Sequence, residues 1–120
     1  MKSIVSWCSI PSIDFDRAVK FYEEVLDITM TSMGEGDDRM APFWDTEDAP
    51  GAGVTADPTF RPTSDGVRLY LDADGAIDDI LGRVVEAGGE VLVPKTSMGD
   101  HWSYGLFRDT EGNSIWLHSK

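Results

Sequence analysis

The stretch Ile4-Val5-Ser6-Trp7-Cys8-Ser9-Ile10-Pro11, followed by Asp14-Phe15-Asp16-Arg17-Ala18-Val19-Lys20-Phe21-Tyr22, decides the fold. The run from Ile4 to Ile10 reads as a strand. Asp14 then offers an N-cap, because its carboxylate can accept from an amide of the first helical turn. Phe15, Ala18, Val19, Tyr22, Val25 and Leu26 recur at helical spacing. The same pattern returns half a chain later. Val67 to Ala73 reads as a strand, Asp74 offers a cap, and Ile77, Ile80, Leu81, Val84 and Val85 recur at helical spacing. Gly88-Gly89 stops that second helix with a residue free to adopt positive φ. The two units start about 60 residues apart, which marks an internal repeat carried by pattern rather than by identity.

Short strand-like runs follow each helix. The first half gives Ile28 to Ser32, Met40 to Trp44 and Ala52 to Ala56; the second gives Glu90 to Val93, Ser103 to Phe107 and Ser114 to His118. Turn signals separate them at Gly34-Glu35-Gly36, Ala49-Pro50-Gly51, Met98-Gly99-Asp100 and Glu111-Gly112-Asn113. Pro58 and Pro62 make the stretch between the halves a poor strand or helix. The formula is strand–helix–three strands, written twice, in one domain of two modules over residues 1–57 and 63–120 joined by a linker at 58–62. Helix packing on one face of each half-sheet leaves the other face free to form a cleft.

Composition narrows the function. The chain has 120 residues, 41% hydrophobic and 27% charged, an ordinary globular balance. Its net charge of −12 repels phosphate backbones and anionic lipid surfaces, so neither nucleic acid nor membrane is an expected partner. A cationic ligand is permitted but not implied. The single cysteine, Cys8, excludes an intrachain disulfide and reads as a small buried hydrophobe. No signal-peptide pattern or membrane-length apolar run appears, and the expected location is the cytoplasm. Phosphate-gripping glycine loops, paired-cysteine metal sites and nucleophile elbows are absent from the sequence.

The opening segment Trp7-Cys8-Ser9-Ile10-Pro11 with Asp14 to Tyr22 resembles the start of the vicinal oxygen chelate superfamily, which includes glyoxalase I, bleomycin-resistance proteins and extradiol dioxygenases. The second half is closer still. Glu86-Ala87-Gly88-Gly89, Pro94-Lys95-Thr96 and the run from Phe107-Arg108-Asp109-Thr110-Glu111-Gly112-Asn113 through Ser119 resemble the bacterial glyoxalase and bleomycin-resistance-like subgroup. The resemblance implies an α+β fold of two tandem βαβββ modules, whose curled mixed sheets surround a cavity, and a homodimer.

It also implies where a metal would sit. Metal-dependent members place two ligands on each module, drawn from His, Glu and Gln. The matching positions here are Trp7, the segment Gly53 to Thr55, Val67 or Arg68 with Arg68 favoured, and Trp116. None carries a carboxylate or imidazole, the donors that zinc, nickel and iron sites need. The expectation is therefore no metal and no other cofactor, which argues against glyoxalase I activity, extradiol cleavage and fosfomycin-type resistance. His101 and His118 are the histidines that could build a different site.

Strand alternation then sorts the faces. With Trp7 pointing into the cavity, so does Ser9; with Arg68, so do Tyr70 and Asp72; with Trp116, so do Ser114 and His118. The candidate ligand site is Trp7, Ser9, Arg68, Tyr70, Asp72, Trp116 and His118, aromatic walls with a few polar groups, as small-molecule sites generally are. Trp7 and Trp116 are equally readable as plugs that fill the vacated metal space. Arg68 reads as the structural partner of Asp72 or as a clamp on a carboxylate or oxyanion.

Three functions compete. The first is a metal-independent protein that binds an unidentified small molecule. The second is a lyase or isomerase related to lactoylglutathione lyase, acting on a small carbonyl or carboxylate compound, with Arg68 holding the oxyanion and His118 or Asp72 moving the proton. The third is an interaction module with a filled cavity.

Overall fold

The computed structural model describes residues 4–43 and 51–120. The first module runs β1 (Trp7–Pro11), α1 (Phe15–Leu26), β2 (Met33–Glu35), β3 (Asp38–Pro42) and β4 (Gly51–Ala56). The second runs β5 (Tyr70–Asp72), α2 (Ile77–Glu86), β6 (Glu90–Ser97), β7 (Ser103–Arg108) and β8 (Ser114–Ser119). Each forms a four-stranded mixed sheet, ordered β1-β4-β3-β2 and β5-β8-β7-β6, with its first strand parallel to its last. A parallel return needs a crossover, and the helix supplies it, so each sheet is covered on one face.

Helix α1 forms where the spacing predicts. Asp14 accepts from the Arg17 amide at 3.1 Å, and Phe15, Ala18, Phe21, Tyr22 and Val25 are buried. Helix α2 buries Ile77, Ile80, Leu81 and Val84, but Val85 falls off the edge of that stripe and is exposed. Asp74 is not its cap. The Asp72 carboxylate accepts from the Asp74 amide at 2.9 Å, which bends Asp74-Gly75 into a turn with positive φ at both residues, and Ala76 opens the helix without a side-chain cap. At its far end Gly88 takes φ 99°, and the Gly89 amide reaches the Val84 carbonyl at 2.8 Å.

Several strands are shorter or shifted. β1 begins at Trp7, and Ile4 and Val5 lie exposed before it. The segment Ile28 to Ser32 is not a strand. Asp27 ends α1 in the left-handed region, Met30 tucks into the core with its amide on the Glu23 carboxylate, and pairing resumes at Met33. Val67 to Leu69 also lie outside β5, which pairs with β8 only from Tyr70 to Asp72, although the Trp116 amide still donates to the Leu69 carbonyl at 3.0 Å. Trp44 and the Ala49-Pro50 turn lie outside the described residues.

The modules share one core. Tyr22 and Phe21 of α1 pack against Phe107 of the second sheet, and Tyr22 also meets Phe43 of the first. A polar joint at the β7–β8 turn locks this packing. Asp109 accepts from the Tyr22 hydroxyl at 2.6 Å and from Asn113, whose side-chain amide also donates to the Pro11 carbonyl. Glu111 accepts from the Ile13 and Asp14 amides, from Arg17 Nε and from the Thr110 hydroxyl, at 2.6–2.8 Å. Burial pushes the Glu111 pKa up, but those donors outweigh it and hold it below the ordinary carboxylate value. Burial, then the Asp109 carboxylate, push the Tyr22 hydroxyl well above its ordinary value. The second module's β7–β8 turn thus holds the corner where the first module's strand becomes its helix.

Candidate functional site

The alternation in each ladder fixes which side chains leave the core. Ile10, Ala52, Val54 and Ala56 are buried beneath α1, so Trp7 and Ser9 take the opposite face, paired in register with Gly51 and Gly53. In the second sheet Ile115 and Leu117 are buried, so Ser114, Trp116 and His118 share the outer face. Tyr70 pairs with Trp116 and Asp72 with His118, while Leu106 and Tyr104 flank them on β7. The seven candidate residues therefore all sit on helix-free faces, two on the first sheet and five on the second.

They are not gathered into one pocket. A cleft of about 550 Å³ lies between β1 and the segment from Thr63 to Leu69, and it brings together Ser9, Arg68, Ser114 and Trp116 with Phe60 and Leu106. Trp7, Tyr70, Asp72 and His118 do not line it. Trp7 lies back over its own sheet, where a Cβ on Gly51 would meet its ring at 2.6 Å, and its indole N–H donates to Ser9 at 2.8 Å. It does not line the cleft beside Trp116, which is open.

The second sheet carries an array of rings. Trp102 stacks on His118 with centroids 4.1 Å apart and planes 12° apart. His118 meets the Tyr70 edge at 5.5 Å, and Tyr70 stacks on Trp116 at 5.5 Å. Tyr104 closes on Trp116 from the far side at 5.8 Å. Arg68 does not pair with Asp72; its guanidinium lies over the Trp116 ring at 4.5 Å, and the Asp72 carboxylate serves the Asp74 turn instead. Alternation along β7 could have placed Tyr104 and Leu106 on this face. Trp102 lies before β7 in a loop, where no periodicity points to it.

The residues at the implied metal positions do not fit a divalent cation. Trp7, Trp116 and Arg68 offer two indoles and a guanidinium. Gly53 has no room for a donor, since a Cβ there would sit 2.5 Å from the Ala41 carbonyl oxygen. Thr55 contributes a hydroxyl that is buried without a hydrogen-bond partner. Among the described residues no group of three or more His, Cys, Asp or Glu is gathered as a metal would need. His101 lies apart, lining a second cavity of about 630 Å³ with Lys95, Trp102 and Lys120.

Known proteins share this architecture. Residues 4–117 match the sequence family described as the Glyoxalase/Bleomycin resistance protein/Dioxygenase superfamily. A glyoxylase-like domain-containing protein from Didymella fabae is 30% identical over 115 residues, covering 92% of this chain and 88% of its own. A glyoxalase/bleomycin resistance protein from Albidiferax ferrireducens superposes with a TM-score of 0.75 at 18% identity, covering 98% of this chain and 99% of its own. An antibiotic-binding protein from a Streptomyces species gives 0.69 at 23% identity, covering 99% and 98%. Likenesses at those identities speak to the fold.

Proposed function

The chain belongs to the glyoxalase/bleomycin resistance protein/dioxygenase superfamily, and from that premise we propose that it binds a small organic molecule on its aromatic outer face without a metal. The observation that carries this reading is the donor set. Where metal-dependent relatives would place carboxylates and imidazoles, this chain has Trp7, Trp116, Arg68 and a glycine with no space for a side chain. A Lewis acid cannot be held by such groups, whereas rings beside an open cleft suit a ligand bound by stacking and apolar contact. The Streptomyces relative is described as antibiotic-binding, which is the same kind of activity. The test is a thermal-shift screen of small organic molecules followed by product analysis. A ligand that raises Tm and is recovered unchanged supports binding. Turnover of the ligand would move the assignment to an enzyme.

One observation favours a second reading, a lyase or isomerase acting on a small carbonyl or carboxylate compound. Arg68 makes no ion pair with a described carboxylate and borders the cleft, so it is available to an oxyanion. In that case Arg68→Ala abolishes turnover while the protein stays folded. A homodimer in the cytoplasm is the proposed setting for either activity, and sedimentation analysis checks the assembly.

A further inference from the structure

We propose that the outer face of the second sheet takes a flat aromatic anion, its ring system laid along Trp116, Tyr70, His118 and Trp102 and its negative groups held by Arg68 at one end and Lys120 at the other. This rests on the small-molecule reading above and narrows it to a chemical class. The rings form an unbroken series, Trp116 to Tyr70, Tyr70 to His118 and His118 to Trp102, each step between 4.1 and 5.5 Å. Both ends are closed by cations of the protein itself. Arg68 lies over Trp116 at 4.5 Å, and the Lys120 ammonium lies over Trp102 at 5.3 Å. Neither cation has a carboxylate partner among the described residues, although the chain has more than twice as many acids as bases. Tyr70 is 44% exposed and Trp102 37%, so the series is open to a ligand.

The charge of the ligand follows from those ends. Aromatic faces attract cations, and here that demand is already met by Arg68 and Lys120. An incoming cation would have to displace one of them or lie beside it against like charge. A flat anion meets no such conflict. It stacks on the rings and gives Arg68 and Lys120 charge-assisted hydrogen bonds. The net charge of −12 opposes it only at long range, where salt screens charges beyond about 8–10 Å.

The experiment compares four small probes by quenching of tryptophan fluorescence and by calorimetry. Naphthalene-2,6-dicarboxylate is the flat dianion, N-methylquinolinium the flat cation, 2-naphthamide the flat neutral and cyclohexane-1,4-dicarboxylate the non-aromatic dianion. The expected order places the naphthalene dianion first. Arg68→Gln and Lys120→Gln should each weaken it by about two- to five-fold, while Lys20→Gln, an exposed position on α1, leaves it unchanged. All three substituted side chains are exposed, so folding is preserved. Tighter binding of the quinolinium or the naphthamide overturns the anion assignment and leaves small-molecule binding standing. If none of the four probes binds, the anion proposal is overturned, while the small-molecule reading stands or falls by the separate thermal-shift screen.

Discussion

Replacing Glu111 with alanine should strip the module joint and cost about 3–5 kcal/mol, the usual loss when one partner of a buried charged network is removed. The side chain is fully buried and serves four donors at once. The Ile13 and Asp14 amides lose the Glu111 carboxylate at the start of α1, and a hydrogen bond to a charged group contributes about 1.5–3 kcal/mol. Arg17 contributes less, because its side chain is 49% exposed and water can take over its hydration. Against a domain stability of roughly 5–15 kcal/mol, the loss is a large share. At about 4 °C per kcal/mol for a chain of this length, Tm should fall by roughly 12–20 °C. Urea unfolding followed by tryptophan fluorescence and by calorimetry measures both quantities. Glu111→Gln keeps an acceptor for the two amides and gives up only the charge, so its loss should be about 1–2 kcal/mol. If Glu111→Ala unfolds within about 1 kcal/mol of the wild type, the joint does not hold the modules together and the reasoning fails.

The same residue gives a pH dependence. Its folded pKa lies below its unfolded value near 4.5, so its stabilisation is present above that pH and is lost as pH falls through the folded pKa; Glu111→Gln should flatten the acid limb of a Tm-against-pH curve. Tyr22, raised by burial and by Asp109, should stay protonated in the folded protein at alkaline pH, and unfolding there should release a tyrosinate absorbance step that Tyr22→Phe removes. Thr55→Val should be neutral or stabilising by up to about 1 kcal/mol, because it removes a buried hydroxyl with no partner; a clear loss in urea midpoint would show that the hydroxyl is satisfied in solution. Gly53→Ala should destabilise by about 1–3 kcal/mol by driving a methyl into the Ala41 carbonyl, and a wild-type melting curve would contradict that close approach.

Much of this architecture is written in periodicity. The two strand–helix units are legible because buried positions such as Phe15, Ala18, Tyr22 and Ile77, Ile80, Val84 follow helical spacing, and the outer faces because Trp116 and His118 alternate with Leu117. What escaped has a common cause, since it depends on partners far along the chain. β5 pairs with β8 over only three residues, and Asp74 is a turn residue because Asp72 claims its amide. Glu111 reads as a turn residue, yet its carboxylate binds a donor 98 positions away, and the Asp109 carboxylate likewise reaches Tyr22, which no local pattern reveals. The candidate site was half legible. Alternation placed its side chains on the right faces, but Arg68 over Trp116 rather than beside Asp72, and Trp102 over His118, are contacts set by loops.

The most direct test of metal-free ligand binding is the metal content of the purified protein by plasma mass spectrometry, joined to calorimetric titration with nickel, zinc, iron and manganese. The account predicts no stoichiometric binding of any of them. Tight one-to-one binding would contradict it, and would return metal-dependent lyase or dioxygenase chemistry to first place.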